Sequence, residues 1–152
     1  MSLFYKEGDL IKLAQQGFFD LIIHGCNCFC QMGAGIAKQI KKTFPAAYLA
    51  DQKTTIGDRK KLGSCSFTKC QVKGGFCKII NAYTQFHWSS FEKQIDYQAI
   101  RLCLKWIKEN FSGQKMGLPK IGAGLAGGDW SIIEKIILAE LEGEDITIVI
   151  KS

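Results

Sequence analysis

The run Gly122-Ala123-Gly124-Leu125-Ala126-Gly127-Gly128 lies between the apolar Met116-Gly117-Leu118-Pro119 and an apolar-periodic stretch that begins at Ser131. It constrains the fold more than any other segment. Four glycines in seven residues let the backbone take positive φ and leave no Cβ to hold a neighbour away. A turn of this kind, leading from a strand into a helix, presents the unpaired N–H groups of the helix start, which together carry about half a positive charge. A second such turn, Met32-Gly33-Ala34-Gly35-Ile36-Ala37, follows the apolar run Leu21-Ile22-Ile23 and leads into another helix-patterned segment. Two turns of this type predict one diphosphate held from two sides, with negative charge near the start of the last long helix. A pair of glycine turns made only for packing is the alternative.

The segments around these turns alternate. Residues 21–24, 64–67, 76–81, 116–119 and 146–150 read as strands, and Phe4-Tyr5 begins another. Residues 35–44 read as a helix stopped before Pro45. Residues 96–110 place Ile100, Cys103, Leu104 and Ile107 on one stripe, and residues 131–141 repeat that period with Ile133, Ile136 and Ile137. Strands alternating with helices imply an α/β sheet covered on both faces, with ligands at the carboxyl ends of its strands. No linker, repeat or low-complexity tract divides the 152 residues, so a single domain spanning 1–152 is expected.

Composition narrows the classes. A hydrophobic share of 47% with 22% charged residues is that of a packed chain rather than a disordered one. No apolar run reaches the roughly 20 residues of a membrane span, and Met1-Ser2-Leu3-Phe4-Tyr5-Lys6 lacks a signal-peptide core, so a cytoplasmic protein with no membrane partner is expected. Seven cysteines, an odd number scattered through apolar segments, point to reduced thiols. Cys26, Cys28 and Cys30 alternate on an extended chain and have no Cys-x-x-Cys or His-x-x-x-His partner, so no metal is expected. The net charge of +6 rests largely on lysines 38, 41, 42, 53, 60, 61, 105 and 108, which fit solvated faces and a general attraction for anionic ligands. No Arg-rich or aromatic-basic motif supports direct nucleic-acid binding.

Taken alone, the later glycine turn matches a dinucleotide fingerprint, with Glu142 or Glu144 at a suitable distance. Only 25 residues follow Gly127, too few for the mononucleotide half that should come next. The order of motifs matches another family. Tyr5-Lys6-Glu7-Gly8-Asp9-Leu10, Ile23-His24-Gly25-Cys26-Asn27-Cys28, Met32-Gly33-Ala34-Gly35-Ile36-Ala37, Asn81-Ala82-Tyr83-Thr84-Gln85 and Leu118-Pro119-Lys120-Ile121-Gly122 through Trp130 resemble the macrodomains, which bind ADP-ribose and its derivatives. The resemblance is nearest to the branch holding the ADP-ribose 1''-phosphate phosphatases and the terminal ADP-ribose glycohydrolases. It implies a three-layer α/β/α fold with a central mixed sheet, no cofactor, and ADP-ribose, ADP-ribose 1''-phosphate or ADP-ribosylated macromolecules as partners.

The resemblance also implies roles. Asp9, after Gly8, accepts from the adenine amine with Leu10 beside the ring, or is an ordinary helix N-cap. Asn27, with Gly25 and Cys26 before it, holds the distal ribose, or caps its own turn. Met32, Gly33, Ala34, Gly35, Ile36 and Ala37 line the distal ribose and one side of the diphosphate. Gly122, Ala123, Gly124, Leu125, Ala126, Gly127 and Gly128 wrap the other side. Tyr83 contacts the proximal ribose or packs, and Thr84 and Gln85 follow it at the strand end.

Chemistry at the distal ribose is the open part. Glycohydrolase relatives use a strand-end lysine nucleophile and an aspartate in the last glycine loop. Here those positions carry Gln85 and Ala126, and an amide cannot form the covalent adduct that an amine can. Removal of a 1''-phosphate asks for less: an in-line nucleophile, donors for the phosphoryl oxygens and a proton for the leaving oxygen. His24 supplies that proton or orients a water, or else is a satisfied core histidine. Asp129 orients water or acts as base, or else caps the helix after it. His87 beside Trp88 forms a pocket wall. The expected function is ADP-ribose binding with hydrolysis of ADP-ribose 1''-phosphate. The alternatives are a non-catalytic binding module and a de-ADP-ribosylating hydrolase without the lysine.

Overall fold

The computed structural model describes residues 2–88, 95–124 and 126–151. In chain order the elements are β1 (Ser2–Glu7), α1 (Leu10–Gln15), β2 (Leu21–Asn27), α2 (Gly35–Thr43), α3 (Pro45–Gln52), a 3-10 turn (Arg59–Lys61), β3 (Cys65–Val72), β4 (Gly75–Gln85), α4 (Tyr97–Phe111), β5 (Lys115–Leu118), α5 (Trp130–Glu140) and β6 (Asp145–Ile150). The strands form one sheet in the order β1-β6-β5-β2-β4-β3. Neighbours run parallel except β3 and β4, which form an antiparallel hairpin at one edge. This is a mixed sheet in an α/β fold.

Both faces are covered, which explains why β2 reads as a continuous apolar run instead of an alternating one. Ile22 and Ile79 point toward α1, α2 and α3, where they pack with Leu10, Ile11, Ile40 and Ala47. Leu21, Ile23, Ile80, Met116 and Ile148 point the other way, onto Ile100, Leu104 and Ile107 of α4 and Ile133 and Ile137 of α5. The result is a three-layer arrangement in which the parallel strands end together at one edge. No helix among the described residues is long and apolar enough to cross a membrane.

The sequence reading placed α2, α4, α5, β5 and β6 within a residue, stopped β2 three residues short, and missed α1 and α3. Pro45 ends α2, as expected, but it also starts α3 as its first residue, a position where a missing N–H costs nothing and the fixed φ is already helical. Helix α1 is short and is set by Asp9, whose Oδ1 accepts from the N–H groups of Ile11 and Lys12. The hairpin is longer than expected: β3 extends to Val72 and β4 to Gln85. The exposed face of β3 carries Phe67, Lys69 and Gln71, and the two polar residues obscure the strand signal beyond Phe67.

Candidate functional site

A cleft of about 600 Å³ opens at the carboxyl ends of β2, β4 and β5. Its floor is Gly25, Cys26 and Asn27 at the end of β2. One wall is residues 33–37, leading into α2, and the opposite wall is residues 119–122 with Gly124 and Ala126, after β5. Gln31, Gln85 and Trp88 close a third side. The two glycine turns therefore face each other across one space. Leu125 lies outside the described residues.

Glycines of the two turns divide into two kinds. Gly122 is needed by the fold: its φ is +76°, and a Cβ there would sit 2.6 Å from Ile95 Cδ1. Gly128 likewise meets the Gly122 carbonyl, to which its own N–H donates at 2.8 Å. Gly33 and Gly124 differ. Both are exposed, neither has positive φ, and a Cβ on either would meet nothing within 4 Å among the described residues beyond its chain neighbours. Both glycines line the cleft, and open space lies where each Cβ would stand.

The helix starts are also unequal. Asp129 caps α5, its Oδ1 accepting from Ser131 N at 2.9 Å and Ser131 Oγ at 2.7 Å. Asp96 caps α4 in the same way. At α2 the N-cap is Ala34, which has no side chain to accept from the first turn, so the N–H groups there have no side-chain cap. This corrects the expected placement of negative charge at the start of the last helix: a carboxylate already occupies that end, while α2 and α3 carry no side-chain cap and α2 is the one that borders the cleft. Asp129 is exposed, lies outside the cleft lining, and takes the capping role of its two readings.

Asn27 is buried at 7% exposure and serves its own turn. Its Oδ1 accepts from Phe29 N at 2.9 Å and Gln31 N at 3.3 Å, while its Nδ2 donates to Gln31 O at 2.8 Å. It takes the turn-capping role of its two readings and borders the cleft at the same time. Gln85 Nε2 donates to His87 O at 2.9 Å, tying the end of β4 to the aromatic wall. There His87 and Trp88 stack with centroids 3.8 Å apart, and Phe29 meets both edge-on.

His24 is corrected. It is fully buried beneath the floor, outside the cleft lining, and bonded through Nε2 to Asn81 Oδ1 at 2.6 Å. Asn81 Nδ2 donates to Ala47 O, which fixes Oδ1 as the acceptor and puts the proton on His24 Nε2. Burial is the main cause that pulls its pKa down to about 4, the Asn81 bond opposing it, so it is a neutral core histidine. Cys26, two residues on, rests its thiol 3.6 Å from that ring, and burial first of all holds the thiol well above its usual range.

Three further expectations give way to packing. Tyr83 is buried, its hydroxyl donating to Asp51 Oδ1 at 2.7 Å and paired with Ser66. Met32 is buried in a small cluster with Cys26, Cys28 and Tyr83. Leu10 is buried in the core under α1. Gly8, Asp9, Thr84, Ala123, Gly127 and Gly128 also lie outside the cleft lining, Gly8 and Asp9 at the same edge of the sheet after β1. Gln31, Trp88, Pro119, Lys120 and Ile121 line the cleft without having been assigned to a ligand. Lys120 stood inside a quoted motif, and only the glycines beside it drew notice.

The Macro domain family model matches residues 23–137. The chain is 37% identical over 143 residues to an uncharacterized 17.5 kDa protein of the tk-vs intergenic region of Enterobacteria phage T4, across 90% of this chain and 88% of that protein. It is 26% identical over 138 residues to the DNA ADP-ribosyl glycohydrolase of Mycobacterium tuberculosis, across 91% of this chain but only 38% of that protein. The structure of Thermosipho africanus DarTG in complex with ADP-ribose is similar at a TM-score of 0.77 and 24% identity, covering 99% of this chain and 42% of that one.

Proposed function

This chain belongs to the Macro domain family, and from that premise we propose that its cleft binds ADP-ribose and that the protein removes the phosphate from ADP-ribose 1''-phosphate. Residues 1–152 are read as one such domain. The observation that carries the binding is the pair Gly33 and Gly124: two glycines on opposing walls that the fold does not require and whose missing Cβ atoms leave room for a ligand against bare backbone. The uncapped start of α2 supplies N–H donors for phosphate oxygens on the same wall. A relative solved with ADP-ribose and one named for ADP-ribosyl hydrolysis support the same ligand class. The seven cysteines, free thiols in the structure, fit a reducing compartment such as the cytoplasm.

The phosphatase reading assigns the protein mainly a positioning role. The first turn of α2 would hold the phosphoryl oxygens, Asn27 and the Gln31 segment would fix the distal ribose, and water would attack in line. Gln85 carries an amide, neither basic nor nucleophilic, so the reaction is not routed through an adduct at that position. A second reading rests on a specific observation: no histidine or carboxylate is among the described residues that line the cleft, which favours a module that binds without turnover. Incubation with ADP-ribose 1''-phosphate separates the two. Phosphate release that disappears in Gly124→Val supports the phosphatase, and tight ADP-ribose binding without release leaves the binding module.

A further inference from the structure

Lys120 is the only charged side chain among the described residues that line the cleft. Its backbone is fixed at the rim by two turns, Ile121 N donating to Pro119 O at 2.7 Å and Ala123 N donating to Lys120 O at 3.1 Å. The side chain is exposed. Among the described residues the one ion pair within 4.0 Å is Lys108 with Glu144, so no described carboxylate neutralises Lys120. Its ammonium instead stands 5.9 Å from the centroid of Trp130, near the outer limit of about 6 Å for a cation–π contact, and it is released at little cost. Trp130 is itself held in place, its Nε1 donating to Tyr5 Oη at 3.0 Å.

We propose that Lys120 is the counter-charge of this cleft: its ammonium leaves the face of Trp130 and bonds the diphosphate of the bound ligand. The inference rests on the ADP-ribose reading above and adds a residue that the glycine turns do not provide. Backbone N–H groups are fixed partial charges, whereas a diphosphate brings two full negative charges into a cleft lined mostly by apolar and backbone atoms. A full positive charge on a flexible stem meets that demand, and its three donors need no fixed geometry.

The test is calorimetric titration of ADP-ribose into the wild type, Lys120→Gln, Lys120→Arg and Lys120→Glu, at low and at high salt. An exposed rim residue leaves the melting temperature unchanged, so the variants remain comparable. The expected result is about a tenfold loss for Lys120→Gln at low salt, a larger loss for Lys120→Glu and near-wild-type affinity for Lys120→Arg. Salt should weaken the wild type and leave Lys120→Gln almost unaffected. Wild-type affinity in both Lys120→Gln and Lys120→Glu, with Gly124→Val still impaired, overturns the role of Lys120 and leaves the ADP-ribose reading standing. A wild type that does not bind ADP-ribose overturns both.

Discussion

Glycine is informative where the fold does not ask for it. Gly122 and Gly128 are held by positive φ or by contacts under 3 Å, and larger residues there would disturb the loop whatever it binds. Gly124 has neither constraint, so Gly124→Val should leave the melting temperature within a few degrees of wild type, the range of a surface change of about 0.5 kcal/mol. The same variant should lose at least about tenfold in ADP-ribose affinity, or roughly 1.4 kcal/mol. A folded variant with wild-type affinity would make the loop structural. The sequence shows all of these glycines alike, because only coordinates reveal which Cβ has room. It is equally silent on His24, which lies three residues before Asn27; the side chain that bonds it is Asn81 of β4, 57 residues away, itself tied to Ala47 of α3. His24→Gln should therefore cost stability while leaving the turnover of the remaining folded protein unchanged, as phosphate release normalised to native protein would show.

At the level of elements, the alternation of strands and helices was legible because apolar runs and 3.6-residue periods are local properties, and the structure bears out β5, β6, α2, α4 and α5 to within a residue at each end. Less legible was which helix start is open. Asp9, Asp96 and Asp129 cap α1, α4 and α5, whereas α2 and α3 begin without a side-chain cap, and of these two only the start of α2 lines the cleft among the described residues. This difference predicts opposite outcomes for two variants. Ala34→Asp should stabilise the protein by about 1 kcal/mol, the usual value of a side-chain cap, and at the same time weaken ADP-ribose, since the new carboxylate takes the N–H groups meant for phosphate. Asp129→Ala should cost a similar amount of stability and change affinity less than about threefold, about 0.7 kcal/mol. Thermal melts paired with titrations on both variants read these signs directly, and equal losses of affinity would remove the distinction between α2 and α5.

Across the whole molecule, the buried polar groups on the α1–α3 side couple stability to pH. His24 is held neutral with a pKa near 4, against 6.5 for the free side chain, so between those values the unfolded chain binds more protons than the folded one. Its contribution is therefore complete above about pH 6.5 and is lost progressively as pH falls toward 4, amounting to roughly 3 kcal/mol. Asp51 acts in the opposite sense, because burial raises its carboxyl and acidification relieves that cost. Denaturant titrations of wild type and His24→Gln from pH 7 to 4 isolate the histidine: the wild type should lose more stability over that range, and parallel curves would mean that His24 is not held neutral. The family was legible in the sequence because its motifs fall in order along the chain, and the matched residues 23–137 agree with that reading. The central claim is that the two glycine walls grip one diphosphate between two sugars. Calorimetry of ADP-ribose against AMP on the wild-type protein tests it most directly: micromolar binding of ADP-ribose with AMP far weaker is the expected result, and equal affinity for the two, or no binding of ADP-ribose, would contradict the account.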